Sequence, residues 1–294
     1  MSTRAGFVAL AGRPNAGKST LLNRIVGEKV AIVSNRPQTT RRAIRGVASG
    51  DDWQLVMVDL PGVQRPRDPL TARMQRRMES ELSDSDAVLW VVSGEERVGP
   101  GERFIAETVK RVGLPAVTAL NKVDVLDRER TVRALAAVAE LGVQGDIYPV
   151  SAKTGAGVGE LLEALLALLP EGPFLYPPED RTDLPEEVRI AELVREQILL
   201  RTRDEIPHAV EVEVEEMHAR EDGLLVIEAR AWAETESQKA ILIGRGGGMV
   251  RAIGTAARRE IEALEGRRVH LDLSVRVRRG WRSDEGLLDR LGIE

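Results

Sequence analysis

The 294-residue chain has no cysteine at all. That excludes disulfides, thiolate metal sites and cysteine nucleophiles, and it points to a reducing compartment. No run of about 18 apolar residues occurs, so no membrane-spanning helix is expected. Met1-Ser2-Thr3-Arg4 leads straight into an apolar strand, and no signal peptide is expected. Histidine is scarce: His208, His218 and His270 stand apart with no partner at metal-ligand spacing, and read as structural or surface residues. The net charge of -5 excludes little, because charge is unevenly placed. Residues 211–236 are strongly acidic, whereas 245–282 are rich in arginine. The length accommodates two domains.

What is present begins with Gly12-Arg13-Pro14-Asn15-Ala16-Gly17-Lys18-Ser19, which fits G-x-x-x-x-G-K-[ST]. It follows the apolar strand Phe7-Val8-Ala9-Leu10 and opens a helix over Ser19 to Val26, the context a phosphate-binding P-loop requires. Successive backbone N–H groups would turn inward, and the helix N-terminus adds partial positive charge where polyphosphate would sit. Lys18 would reach the β- and γ-phosphates, and the Ser19 hydroxyl would bind Mg²⁺, with Thr20 beside it among the nucleotide contacts.

Asn121-Lys122-Val123-Asp124 follows a second strand, Ala116 to Leu120, and selects the base. A carboxylate only accepts hydrogen bonds. Asp124 can pair with both N1–H and the N2 amine of guanine, whereas adenine would leave it unpaired at a cost of roughly 1–3 kcal/mol. Asn121 and Lys122 would brace the loop and cover the base plane. With a P-loop upstream, this motif specifies GTP over ATP. Asp59-Leu60-Pro61-Gly62 ends the strand Leu55 to Val58; Asp59 would hold Mg²⁺ through water and the Gly62 N–H would face the γ-phosphate. Pro37-Gln38-Thr39-Thr40-Arg41 is a switch candidate, in which Thr39 or Thr40 supplies a hydroxyl to Mg²⁺ when the γ-phosphate is present. Ser151-Ala152-Lys153, after the strand Asp146 to Val150, would give backbone N–H contacts to the guanine O6. The catalytic group is thus Lys18, Thr40 and Gly62, and the metal ligands are Ser19, Thr40 and Asp59.

The first domain alternates strand and helix, which predicts a doubly wound, mostly parallel α/β sheet. Strands Ala43–Ala48 and Trp53–Val58, separated by Ser49-Gly50-Asp51-Asp52, predict a hairpin and one antiparallel edge. Strand Ala87–Val92, helix Glu102–Val112, strand Ala116–Leu120, helix Arg128–Leu141, strand Ile147–Val150 and helix Gly159–Leu169 follow. Pro170 to Pro178 is a stiff, proline-rich connector. The expected organisation is a GTPase domain over 1–172, a linker over 173–184 and a second domain over 185–294.

That second domain opens on a helix, Pro185–Arg203, followed by strands Ala209–Glu215 and Leu224–Trp232. A glycine-rich loop, a helix from Met249 to Leu264 and a strand from Val269 to Val277 complete it. This is the layout of a smaller α+β KH module, whose G-x-x-G loop clamps the backbone of single-stranded nucleotides. The RNA-contacting candidates are Ile243, Gly244, Arg245, Gly246, Gly247 and Arg251. Trp281, within Arg278-Arg279-Gly280-Trp281-Arg282, could stack on a base or pack against the terminal helix. Glu211, Glu213 and Glu215 alternate along a strand and read as a solvated face.

Taken together, G-R-P-N-A-G-K-S, P-Q-T-T-R, D-x-P-G, N-K-V-D, S-A-K, I-G-R-G-G and the V-R-x-G-W ending span nearly the whole chain. The chain resembles the Era family of bacterial GTPases, with an N-terminal G domain and a C-terminal type II KH domain. The resemblance implies GTP/GDP and Mg²⁺ as ligands, binding of 16S rRNA near its 3′ end, and assistance in maturing the 30S ribosomal subunit. It also implies a monomeric cytoplasmic protein, with peripheral contact at the inner face of the membrane left open. Leu60 stands where relatives usually carry Thr, and Gly248 makes a run of three glycines where relatives carry a larger residue. Val63 follows the D-x-P-G motif, where many GTPases place a water-orienting Gln, so slow intrinsic hydrolysis is expected. Asn15 stands where similar GTPases bind K⁺ beside the phosphates; a loop-stabilising amide is the equal alternative. Two functional readings follow: a nucleotide-driven switch, or a constitutive RNA-binding assembly module with GTP in a structural role.

Overall fold

The computed structural model describes residues 3–36, 39–62, 69–203, 206–291 and 293. The chain folds as two compact units: Met1–Val33 with Thr40–Arg67 and Thr71–Asp183, and Ser34–Thr39 with Asp68–Leu70 and Leu184–Glu294.

In the first unit, β1 (Arg4–Ala11) leads through the P-loop into α1 (Lys18–Val26), then β2 (Ile44–Ser49) and β3 (Trp53–Asp59). Next come α2 (Pro69–Ser83), β4 (Ala87–Ser93), α3 (Pro100–Val112), β5 (Ala116–Asn121), α4 (Arg128–Ala139), β6 (Ile147–Pro149) and α5 (Val158–Leu168). The strands lie in the order β2-β3-β1-β4-β5-β6. Among these six described strands β2 alone runs antiparallel to its neighbour, paired to β3 through the expected hairpin. The four central strands are buried on both faces, so they read as near-continuous apolar runs such as Ala87 to Val92. Register places the functional strand ends side by side: Leu10 pairs with Asp59, and Ser93 with Asn121. The phosphate loop and the base motif therefore emerge from the same carboxyl edge, the ligand edge of an open α/β sheet. Residues 170–183 pack along this unit. The Gln54 carboxamide oxygen accepts from the Leu175 and Tyr176 N–H groups at 2.7 and 2.9 Å, and the Val47 N–H donates to the Arg181 carbonyl at 2.8 Å.

Helix α2 was not anticipated. Its buried side chains, Leu70, Met74, Met78 and Leu82, recur every four residues among arginines and glutamates that mask the stripe.

The second unit contains α6 (Glu186–Arg201), α7 (Ile206–Ala209), β7 (Glu211–Ala219), β8 (Leu225–Ala233), α8 (Glu236–Ile243), α9 (Gly248–Glu265), β9 (Val269–Val277) and α10 (Glu285–Arg290). The sheet order is β7-β8-β9, with β7 and β8 antiparallel and β8 and β9 parallel. Ile190, Val194 and Ile198 of α6 join Ile253, Ala257 and Ile261 of α9 over the inner sheet face. This is the α+β KH arrangement expected from the sequence.

One sequence reading is corrected here, and one open choice is decided. Glu211 is not on a solvated face: it is buried, with an oxygen 3.5 Å from Arg195 Nε, and Glu192 pairs with the same guanidinium at 2.6 Å. Only Glu213 and Glu215 lie on the outer face, where the first accepts from Trp232 Nε1 at 3.0 Å and the second pairs with Arg230 at 2.6 Å. Trp281 is fully buried and donates to the Ala209 carbonyl at 2.9 Å, so it packs and does not stack on a base. The partly buried indole on the outer face is Trp232, with Arg230 and Arg278 guanidinium carbons 5.1 and 5.9 Å from its ring centre.

Candidate functional site

The P-loop curls over the start of α1. Gly17 has φ 96°, and a Cβ there would meet Asn121 Nδ2 at 2.2 Å, so only glycine lets the base motif close onto the loop. Asn121 uses that space: its Nδ2 donates to the Ala16 carbonyl at 2.9 Å, and its Oδ1 accepts from the Ala152 N–H at 2.9 Å. One buried side chain thus joins the phosphate loop, the base motif and the Ser151-Ala152-Lys153 loop. Asn15 (φ 64°) and Lys122 (φ 67°) are the two non-glycine residues with positive φ among those described, and both lie here. Such conformations persist only where surrounding structure fixes them, and they cluster at functional sites.

On the phosphate side, Lys18 is buried and its Nζ donates to the Gly12 and Arg13 carbonyls at 3.1 and 3.2 Å. Burial pushes its pKa down, while the nearby Asp59 and Glu102 carboxylates hold it up. Asp59 is fully buried, and burial raises its pKa against the opposing pull of Lys18 and hydrogen bonds from Ser19 and Thr40. The Ser19 hydroxyl donates to Asp59 Oδ2 at 2.5 Å, the Thr40 hydroxyl donates to the same oxygen at 3.1 Å, and the two hydroxyls are 3.3 Å apart. Asp59 Oδ1 is buried with no hydrogen-bond partner. A carboxylate with an orphaned oxygen beside two converging hydroxyls fits a hard divalent cation such as Mg²⁺, which takes few protein ligands and shares phosphate oxygens and water. Among the described residues no cluster of three or more His, Asp or Glu side chains offers a competing metal site.

Thr39 and Thr40 part ways. Thr39 Oγ1 donates to the Arg36 carbonyl at 2.6 Å and lies 2.6 Å from the Ser34 hydroxyl, and the Thr39 carbonyl accepts from Arg195. Thr40 alone faces Ser19 and Asp59. Pro37, Gln38 and Val63 lie outside the described residues. Leu60 is buried, and the Gly62 backbone approaches Pro14 of the P-loop.

On the base side, the Ser151 hydroxyl donates to Asp124 Oδ1 at 2.7 Å, and the Thr154 N–H donates to that hydroxyl at 3.1 Å. Lys122 Nζ pairs with Glu95 at 2.7 Å. Sequence reading missed Glu95, Glu96 and Glu102, in the β4–α3 loop and the first turn of α3; no motif marks them, and only folding brings them beside Lys122 and Arg13.

In the second unit the G-x-x-G segment, Gly244-Arg245-Gly246-Gly247, links α8 to α9. Gly246 and Gly247 have φ 59° and 76°, and a Cβ on Gly246, Gly247 or Gly248 would meet nothing within 4 Å. The loop therefore presents bare backbone to solvent, with Arg245 exposed beside it. Behind it, a groove of about 510 Å³ runs between α9 and β9, lined by Gly247, Arg251, Thr255, Arg258, His270 and Leu273 among others. Ile243 is partly buried against the core cluster, so it supports the loop. His218 lies 3.5 Å from Glu216 on exposed surface.

The first unit is a P-loop GTPase domain and the second a KH module. A family model described as a 50S ribosome-binding GTPase matches residues 7–122, and a KH-domain model matches residues 205–282. The GTPase Era of Mycobacterium avium (strain 104) is 46% identical over 295 residues, covering 99% of each chain. A crystal structure of Aquifex aeolicus Era bound to GDP and AlF4⁻ is 32% identical, with a TM-score of 0.95 and 99% of both chains covered. The same figures hold for a structure of Era in complex with MgGDPNP and nucleotides 1506–1542 of 16S ribosomal RNA. The chain belongs to the Era family of GTPases.

Proposed function

We propose that this GTPase binds GTP and GDP with Mg²⁺ in the first unit, and single-stranded RNA near the 3′ end of 16S rRNA in the second, as an assembly factor for the 30S subunit. The single observation that carries the nucleotide half is the convergence of Ser19, Thr40 and Asp59 within 3.3 Å of one another at the mouth of the P-loop. Lys18 would exchange its two carbonyl acceptors for the β- and γ-phosphates. The P-loop N–H groups from Asn15 to Ser19 and the start of α1 would cradle the same charge. Bound Mg²⁺ supplies charge neutralisation between the phosphates. Thr40, not Thr39, would close the metal side when the γ-phosphate is present, while the Gly62 N–H faces that phosphate and Leu60 and Pro61 fix its approach. Asp124, steadied by Ser151, would accept from guanine N1–H and N2, and the Ala152 and Lys153 N–H groups would meet O6. Potassium beside Asn15 is part of this reading, because Asn15 is an exposed amide within the P-loop itself, held at φ 64°.

The RNA half rests on the open Gly246–Gly247 backbone and the Arg251–Arg258 rim of the adjoining groove. The related Era structure containing 16S rRNA nucleotides supports the same partner here. We take the protein to act as a cytoplasmic monomer. No described helix is long and apolar enough to cross a membrane, so membrane contact, where it occurs, would be peripheral.

The deciding experiment is a titration of fluorescent single-stranded RNA bearing the 3′-terminal 16S sequence into protein loaded with a non-hydrolysable GTP analogue or with GDP. A nucleotide-driven switch requires different affinities in the two states. Equal affinities would leave the constitutive RNA-binding module as the correct reading.

A further inference from the structure

Glu102 is a buried carboxyl that phosphate chemistry does not require. It stands in the first turn of α3, is 2% exposed, and its Oε2 has no hydrogen-bond partner. Its other oxygen lies 3.8 Å from the Arg13 guanidinium of the P-loop, which also pairs with Glu96. The Lys18 ammonium feels the same carboxyl, as it does that of Asp59. The β4–α3 loop reaches the base motif too, through Glu95 and Lys122. The phosphate loop therefore rests on an acidic support, one member of which is sealed from water and lacks a partner for half of its charge.

We propose that Glu102 is a positioning residue of the phosphate site, one that holds Arg13 and the P-loop from beneath and takes up a proton when polyphosphate binds. The argument is electrostatic. An ionised carboxylate with an unsolvated oxygen is costly to bury. Arg13 and Lys18 offset part of that cost, sharing their charge with Glu96 and Asp59. A nucleotide brings several negative charges to the same two cations and adds repulsion through a water-poor wall. The cheapest response is for Glu102 to accept a proton from buffer at its free oxygen, leaving a neutral acid that still contacts Arg13.

The charged groups facing Glu102 among the described residues support both directions. Burial raises its pKa most, Arg13 lowers it, Glu96 raises it and Lys18 lowers it, leaving it near 7. Nucleotide pushes it further up. The sign follows: the protonated form is the better binder, so affinity is greatest below about pH 7 and falls as pH rises through the window between free and bound values.

The test is calorimetric titration of GDP into full-length protein at pH 7, in buffers of different ionisation enthalpy, whose slope counts protons taken up. The ionisation of GDP itself is common to all variants and cancels on subtraction. Wild type should take up a fraction of a proton that Glu102→Gln does not, and its GDP affinity should fall several-fold between pH 6.5 and 8.5, within the limit of about tenfold per pH unit, while the variant departs from that profile. Glu96→Gln keeps the Glu102 side chain but removes its like-charged neighbour and frees Arg13 to pair with it, which lowers the free and bound values together, so in titrations repeated between pH 6.5 and 8.5 the uptake profile should move to lower pH without vanishing. Equal uptake in wild type and a Glu102→Gln protein that binds GDP one to one overturns the proposal. Should that variant not fold, Glu96→Gln decides alone: an unchanged pH profile of uptake overturns the proposal, and a profile displaced to lower pH supports it.

Discussion

The Asn121 carboxamide is bonded to the Ala16 carbonyl and the Ala152 N–H at 2.9 Å each, so the phosphate loop and the base loop share one buried latch. Both partners are buried, and water cannot take over either bond. Asn121→Ala would strand one acceptor and one donor, a loss of roughly 2–4 kcal/mol of stability. It should also weaken GDP binding well beyond the loss of any base contact, because Gly17 closes against the same side chain. Chemical denaturation and GDP titration on one preparation check both, and a variant with wild-type stability would show that the latch is dispensable.

Asp124→Asn should lose affinity for GTP and gain it for xanthosine triphosphate. Xanthine replaces the guanine amine with a carbonyl, to which an amide can donate and from which a carboxylate is repelled. Ser151 constrains the outcome, since its hydroxyl already donates to Asp124 Oδ1. The amide should therefore keep its oxygen toward Ser151 and present its NH₂ to the base. Competition titration with both nucleotides measures the exchange, and unchanged GTP affinity would refute the base-reading role.

Much of this site was legible in sequence because phosphate and guanine recognition depend on short runs in which backbone geometry is the function. The P-loop, N-K-V-D and S-A-K segments lie where their order implied, and strand register explains why they meet. What stayed hidden depends on burial, which no local pattern reveals. Glu211 alternates with Glu213 and Glu215 yet faces Arg195 sixteen positions earlier in the chain, and Trp281 carries an arginine-rich neighbourhood while itself filling a core position. Helix α2 hid for the opposite reason: its apolar stripe is one side chain wide in a strongly charged segment. Which of Thr39 and Thr40 faces Ser19 and Asp59 needed coordinates, because adjacent residues in an irregular segment can point either way.

Turnover should rise when K⁺ replaces Na⁺, and Asn15→Ala should remove the difference. Asn15 is exposed at φ 64° in the loop that curls around the phosphates, where an added cation would offset transition-state charge. Asparagine tolerates this backbone conformation better than alanine, so Asn15→Gly serves as the control that relieves strain and still deletes the amide. Single-turnover rates in the two salts give the answer. Equal rates in wild type would leave Asn15 with a structural role alone.

Replacing Arg245 and Gly246 with Asp should abolish single-stranded RNA binding and leave basal GTP hydrolysis near the wild-type rate. Gly246 has φ 59° and open space around it, so an Asp there is strained and projects a carboxylate where nucleic acid backbone must come close. Like charge against phosphate adds repulsion that salt screens only in part. The substituted loop and the Ser19–Thr40–Asp59 group lie in different compact units, so these three side chains keep their contacts. Lys18→Ala in the full chain should give the reverse pattern, with nucleotide binding lost and RNA binding retained at its nucleotide-free level. Filter binding at moderate salt and phosphate release measure the two functions separately. If the Asp variant holds RNA as tightly as wild type, the G-x-x-G loop is only a turn, and the groove between α9 and β9 must bind RNA without it.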